Sequence, residues 1–118
     1  AAAEADETGN AYDTLGYIQY VLHDYEAAAQ AFEEALVKGE LSDRSDTLMF
    51  LSRARLELRE FDAAQEAATE AADQGDERAS KSARDFLRAI DGRRTYINTI
   101  AGRKEDAIDF YQPYPPLQ

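Results

Sequence analysis

Apolar residues recur at intervals of three and four positions through most of this chain. This spacing places them on one face of an α-helix, whereas a half-buried strand would show strict alternation. Between residues 9 and 40, a break at His23 and Asp24 divides the pattern into two amphipathic helices joined by a very short turn. The apolar positions of these two helices are Tyr12, Leu15, Ile18, Leu22, Tyr25, Ala28, Phe32, Ala35 and Leu36. The pattern predicts an all-α fold.

The same pattern returns 36 residues later, where Leu15 aligns with Leu51 and Tyr25 aligns with Phe61. A fixed period of this length is typical of repeat proteins, in which each unit is one supersecondary element. We therefore predict a second hairpin of two helices over residues 43–75.

Capping residues mark the ends of these helices. Asp24 is a suitable N-cap for the second helix of the first hairpin, because its carboxylate can accept a bond from a free backbone N–H. Gly39 is a suitable C-cap after that hairpin, since glycine adopts the left-handed conformation without strain. Gly75 followed by Asp76 repeats this arrangement, with a glycine at the end of one helix and an N-cap before the next.

After residue 76 the pattern predicts one long helix instead of a third hairpin. Apolar residues keep helical spacing up to residue 101, so we predict a helix over residues 76–101 with a bend at Gly92. It should cap the exposed apolar face of the second hairpin, as a terminal element of a repeat array must. Residues 102–118 should form a short helix after Gly102 and then an extended Pro-rich tail.

The two copies share a set of spaced positions: Tyr12, Leu15, Gly16, Ala28, Phe32 and Ala35 in the first copy and Leu51, Ala64 and Ala71 in the second. These positions resemble the tetratricopeptide repeat family, whose unit is a helix-turn-helix of about 34 residues. Ser52 replaces the family's glycine, Ala68 replaces its aromatic residue, and neither copy has the closing proline. An Ala-rich helical hairpin outside this family would also place Leu and Ala at many of these spacings.

The resemblance implies a superhelical array of antiparallel helix hairpins with a long C-terminal capping helix. Residues 9–40 and 43–75 would be two repeats, and residues 1–8 would be the end of a preceding repeat or a linker. The chain would then be the C-terminal part of a longer bacterial protein. Residues 78–90 also resemble the C-terminal part of bacterial tetratricopeptide proteins associated with TonB-type energy transduction, which implies an envelope or periplasmic setting. The sequence itself leaves cytoplasmic and periplasmic locations both open.

The charge of the chain narrows the set of partners. Its 118 residues include 13 Lys and Arg and 24 Asp and Glu, for a formal net charge of −11. Such a surface repels phosphate backbones and anionic lipid headgroups. No apolar run approaches the roughly 20 residues of a membrane-spanning helix. Nucleic acid and direct membrane insertion are therefore not expected.

The sequence carries few groups suited to catalysis. It has no Cys and a single histidine, His23, so disulfides, thiolate nucleophiles and multi-histidine metal sites are excluded. His23 lies in a predicted turn. Acidic pairs such as Asp43 with Asp46 lack the spacing of a calcium loop, and we interpret them as solvated helix faces and caps. We expect no enzyme activity, cofactor or metal site.

The resemblance further implies a concave groove lined by the first helix of each hairpin. Tyr17, Tyr20 and Met49 would be exposed there, unless Tyr20 and Leu56 pack against the next hairpin instead. Positions where chaperone-tail-binding relatives carry Lys and Asn here carry residues such as Asp13 and Arg53, which disfavours that subtype. The predicted groove residues are Asn10, Asp13, Tyr17, Tyr20, Asp46, Met49, Arg53 and Asp85, with Val21, Leu56, Glu57, Ser82 and Ala89 beside them.

The predicted function is a noncatalytic scaffold module that binds a protein or peptide. Acidic groove residues favour a partner with basic or mixed apolar and basic side chains. The alternative is that the chain is the structural C-terminal cap of a longer solenoid, whose recognition surface lies upstream. One form of this alternative places the solenoid in a bacterial envelope complex. Self-association, for example through the Pro-rich tail lying in a neighbour's groove, is also open.

Overall fold

The computed structural model describes the backbone of residues 8–106 and the side chains of residues 8–102. This part of the chain contains five α-helices and no strand, which confirms the predicted all-α class. The predicted segment before residue 8 and the Pro-rich tail lie outside the described residues. The helices are α1 (Asn10–Val21), α2 (Tyr25–Lys38), α3 (Arg44–Glu57), α4 (Phe61–Gln74) and α5 (Glu77–Asp106).

The turns inside the two hairpins repeat the same backbone hydrogen bonds 36 residues apart. After α1, the His23 N–H donates to the Tyr20 carbonyl (3.0 Å) and the Asp24 N–H to the Gln19 carbonyl (2.9 Å). His23 and Arg59 take φ angles of 64° and 61°, in the left-handed region. Each turn is a Schellman motif, which satisfies the carbonyls at the helix end and reverses the chain. The equivalent bonds after α3 run from Arg59 to Leu56 and from Glu60 to Arg55.

The predicted caps form in the structure. Asp24, Asp43 and Asp76 each accept a hydrogen bond from the backbone N–H three residues later, at 3.3, 3.1 and 2.8 Å. Gly39 ends α2 with a φ of 78°, where a side chain would be strained. These caps hold the boundaries of α2, α3 and α5 by local chemistry.

Two clusters of buried side chains hold the helices together, and alanine is common in both because it lets helix backbones approach closely. α5 contributes Ala83 and Ile90, which are 0% and 1% exposed, so this helix covers the apolar side of α3 and α4. The first cluster is Ala28, Ala29, Phe32, Leu51, Ala54 and Ala67. The second is Leu48, Met49, Leu56, Ala64, Ala68, Ala71, Ala83 and Ile90.

Each helix packs against the next one along the chain. In addition, α1 contacts α3 and α3 contacts α5, whereas no Cα atom of α2 lies within 8 Å of a Cα atom of α4. The first helices of the hairpins and α5 therefore lie side by side on one face.

α5 is longer than predicted. The prediction that the helix ends at Ala101 is wrong, because α5 continues through Gly102 to Asp106. The prediction of a separate helix after Gly102 is therefore also wrong for residues 103–106. A single glycine inside a helix costs about 1 kcal/mol relative to alanine, which weakens the helix without breaking it. Residues 107–111, the remainder of the predicted short helix, lie outside the described residues.

Candidate functional site

A groove runs along the face formed by α1, α3 and α5. It consists of two adjoining pockets that share Asp46, and we call the two together the inner groove. The α1/α3 pocket has a volume of about 240 Å³ and is lined by Asp13, Thr14, Tyr17, Phe32, Asp46 and Phe50. The α3/α5 pocket has a volume of about 310 Å³, and the lining residues that matter below are Asp43, Asp46, Met49, Arg53, Asp76 and Arg78.

The helix starts place carboxylates in the α1/α3 pocket. Asp13 and Asp46 each lie in the first turn of a helix, where the partial positive charge of the free N–H groups favours acidic residues. The Thr47 hydroxyl, on a side chain that is 1% exposed, donates a 2.8 Å hydrogen bond to Asp13 Oδ1. This bond ties α1 to α3 and orients the Asp13 carboxylate at the groove.

The environment of Asp46 disfavours its ionised form. Partial burial raises the pKa of this carboxyl above its ordinary value, and the negative charges of Asp43 and Asp13 raise the pKa further. Arg53 lowers the pKa without cancelling the other effects. Asp46 thus carries a charge in the groove that its protein surroundings neutralise only in part.

Aromatic side chains form the wall and base of the α1/α3 pocket. Tyr17 meets Phe50 edge to face, with ring centroids 5.3 Å apart, and half of Tyr17 remains exposed. Phe32 stacks on Phe50 at 6.0 Å and is fully buried, so it lies at the base. These contacts give the pocket a packed apolar surface in addition to its two carboxylates.

Arg53 links the two pockets. Its guanidinium lies 5.2 Å from the ring centroid of Phe50 on α3 and 5.8 Å from that of Phe86 on α5. Such cation-π contacts hold the side chain across the groove and keep its positive charge near Asp46.

Five of the eight predicted groove residues line the inner groove: Asp13, Tyr17, Asp46, Met49 and Arg53. The sequence predicts an exposed Met49, and this is wrong, because only 7% of the residue is exposed. Met49 belongs to the core shared with α5, and only its remaining surface borders the α3/α5 pocket.

Tyr20 and Asn10 take part in packing and line neither pocket. Tyr20 meets Tyr25 and Phe50 edge to face, each at 5.5 Å, and burial raises the pKa of its hydroxyl. Leu56 is 5% exposed. Tyr20 and Leu56 are therefore packing residues, which was the alternative to their exposure in the groove. Asn10 Oδ1 accepts hydrogen bonds from the Ser42 backbone N–H (3.1 Å) and hydroxyl (3.3 Å), which fixes the linker between the hairpins.

Asp85 also lies outside the two pockets. It forms ion pairs along α5 with Lys81 (3.2 Å) and Arg88, and the hydrogen bond and charge of Lys81 lower the pKa of its carboxyl. The groove wall on α5 is one turn earlier than predicted, at Arg78 and Ala79, with Ser82 common to both. The sequence contained one signal for the position of this wall. It is the N-cap Asp76, because this cap places the start of α5 beside the start of α3.

The described residues contain no cluster of three or more His, Asp or Glu side chains suited to a metal ion. His23 lies in the turn after α1, stacked on the Tyr25 ring at 5.5 Å. None of the helices in residues 8–106 has the length and apolar character needed to cross a bilayer.

Comparison of the chain with protein-family models, with curated proteins and with solved structures finds no significant match.

Proposed function

We propose that this chain is a noncatalytic module of the tetratricopeptide type that binds an extended segment of a partner protein in the inner groove. The observation that carries the proposal is the pair of pockets joined at Asp46, which crosses three neighbouring helices. A groove of this kind suits an extended peptide, because successive side chains can enter successive pockets.

The helix arrangement supports a curved array. Cα atoms of α1 and α3, and of α3 and α5, approach within 8 Å, whereas those of α2 and α4 do not, so the inner helices lie closer together than the outer ones in residues 8–106. In a superhelical stack this side becomes the concave surface that solenoid proteins use for binding.

The residue types support a protein partner. Tyr and Arg are enriched in the cores of protein interfaces, and Tyr17 and Arg53 line the two pockets of the inner groove. The net charge of −11 favours partners with basic residues at the rim of the groove and speeds their encounter with it.

A selection from random twelve-residue peptides displayed on phage would test this proposal. We expect recovered peptides to bind less tightly at high salt and to lose about tenfold in affinity on Tyr17→Ala, because an interface anchor contributes on the order of 1–2 kcal/mol. Tyr96→Ala is the matched control, since Tyr96 is 45% exposed, close to the 50% of Tyr17, and does not line the groove. Peptides that bind both variants equally, with no dependence on salt, would refute the proposal.

An exposed apolar face favours a second candidate, the end of a longer solenoid. On α1, Leu15 and Ile18 are 39% and 50% exposed, whereas their counterparts 36 residues later, Leu51 and Ala54, are 6% and 0% exposed against α2. A further helix on α1 would bury this face as α2 buries that of α3. Peptide capture by a longer chain containing this one, with no capture by residues 1–118 alone, would favour this candidate.

A further inference from the structure

We infer that the α1/α3 pocket binds one arginine side chain of the partner, held between Asp13 and Asp46 and against the aromatic base of the pocket. The inference rests on the proposed function and gives that groove a specificity. The charge, shape and volume of the pocket suit a guanidinium group.

The charges of the pocket favour a cation. Asp13 lines it from α1 and Asp46 from α3, and neither belongs to an ion pair in the described part of the chain. The Thr47 hydroxyl occupies only Oδ1 of Asp13, which leaves Oδ2 for a donor from a ligand. Arg53 is the cation nearby, and its guanidinium is already engaged with two aromatic rings. The pocket therefore has acceptors in excess of donors.

The aromatic surface distinguishes arginine from lysine. A guanidinium is planar, stacks on aromatic faces and presents several N–H donors in one plane, whereas an ammonium is a strongly hydrated point charge. Half-exposed Tyr17 forms a wall of the pocket beside Phe50. A flat cation can contact this wall while its N–H groups donate to the carboxylates of the same pocket.

The adjoining α3/α5 pocket lacks this selectivity. It contains Arg53 and Arg78 together with Asp43, Asp46 and Asp76, so its own cations offset most of its negative charge. Asp43 and Asp76 also accept hydrogen bonds as helix caps. The unbalanced charge of the inner groove thus lies on the α1 side, in a volume of about 240 Å³ that suits a single side chain.

Titration of the full chain with N-acetyl-arginine methylamide, followed by amide NMR shifts, tests the inference. We expect saturable shifts at Asp13, Tyr17 and Asp46, and binding about tenfold weaker for the citrulline analogue, which keeps the shape and loses the charge. The lysine analogue should bind with intermediate affinity. Equal binding of arginine and citrulline, or no saturable shift at these residues, would overturn the inference.

Charge-matched variants complete the test. Asp46→Asn should weaken arginine binding about fivefold, the size expected for a partly exposed charge pair. Asp91→Asn, an equal charge change on an exposed residue of α5 outside the inner groove, should leave it within about twofold. Asp13→Asn should act like Asp46→Asn, and its amide oxygen still accepts from Thr47, which protects the fold. Equal effects of the α1/α3 pocket variants and Asp91→Asn would refute the assignment.

The two proposals fail separately. Phage-selected peptides that bind through Tyr17, with no response to the arginine probe, would leave the proposed function standing and overturn the arginine pocket. An absence of selected peptides, with the probe still bound at Asp13 and Asp46, would overturn the proposed function and support the pocket assignment.

Discussion

Gly16 lies directly against the ring of Phe32, so closely that a Cβ built on Gly16 would come within 2.7 Å of two ring carbons. Thirty-six residues later the equivalent pair is Ser52 and Ala68. Both are fully buried, and the Ser52 hydroxyl donates a 2.6 Å hydrogen bond to the Ala64 carbonyl. A larger residue on one helix accompanies a smaller residue on the other, because the space between two packed helices is limited.

This pairing predicts a compensating double variant. Gly16→Ser should destabilise the protein by about 1–3 kcal/mol through overpacking, and Phe32→Ala by about 3–5 kcal/mol through a cavity. The double variant, which copies the Ser52 and Ala68 pair, should cost clearly less than the two losses added. Urea unfolding of the four proteins measures the coupling, and additivity within about 0.5 kcal/mol would contradict it.

Gly92 should respond to alanine in the opposite direction from Gly16. A Cβ on Gly92 meets no heavy atom within 4 Å, and the residue lies inside α5. Gly92→Ala should therefore stabilise the protein by up to about 1 kcal/mol through helix propensity. Gly16→Ala gains the same propensity and loses more through contact with Phe32. Thermal unfolding should give a higher melting temperature for Gly92→Ala and a lower one for Gly16→Ala than for the unaltered protein. Melting temperatures that shift in the same direction would refute this prediction.

Arg55 should stabilise the contact between the hairpins. It forms ion pairs with Glu60 (2.8 Å) in its own hairpin and Glu33 (2.6 Å) in the other, and its side chain is 23% exposed. We expect Arg55→Ala to lower the free energy of unfolding by about 1 kcal/mol, with a smaller effect in 1 M salt. Arg88→Ala is the control, since Arg88 is 75% exposed and its ion pair with Asp85 lies within α5. Equal losses from both variants would contradict the prediction.

The raised pKa of Asp46 makes the stability of the protein depend on pH in a defined direction. The folded protein holds this proton more tightly than the unfolded chain, so ionisation of Asp46 costs stability as the pH rises through its folded pKa. Asp46→Asn should therefore raise the free energy of unfolding at pH 7, by about 0.5 kcal/mol for a partly exposed carboxylate.

The same gain should disappear below the ordinary carboxyl pKa of 3.8, where Asp46 is protonated in both states. Urea unfolding at pH 7 and pH 3 provides the comparison. Asp91→Asn, an equal loss of charge on an exposed part of α5, serves as the control. A gain that is larger at pH 3 than at pH 7 would have the wrong sign.

Some of the inner groove could be predicted from single positions. Asp13, Tyr17 and Arg53 line it, because helical periodicity decides which side of α1 and α3 they occupy. Asn10 and Asp85 share the predicted faces but are engaged elsewhere, one with the linker at Ser42 and the other within α5. Periodicity specifies a face, and the partners available on that face depend on neighbouring elements.

Local pattern was enough to predict the first four helices, their turns and the 36-residue period, since apolar spacing, caps such as Asp24 and Gly39, and helix propensity act within a few residues. The burial of Met49 and the position of Arg78 at the groove follow only from the packing of the helices. These outcomes depend on how α5 lies across α3, which is set by the fit of many side chains and not by any local pattern.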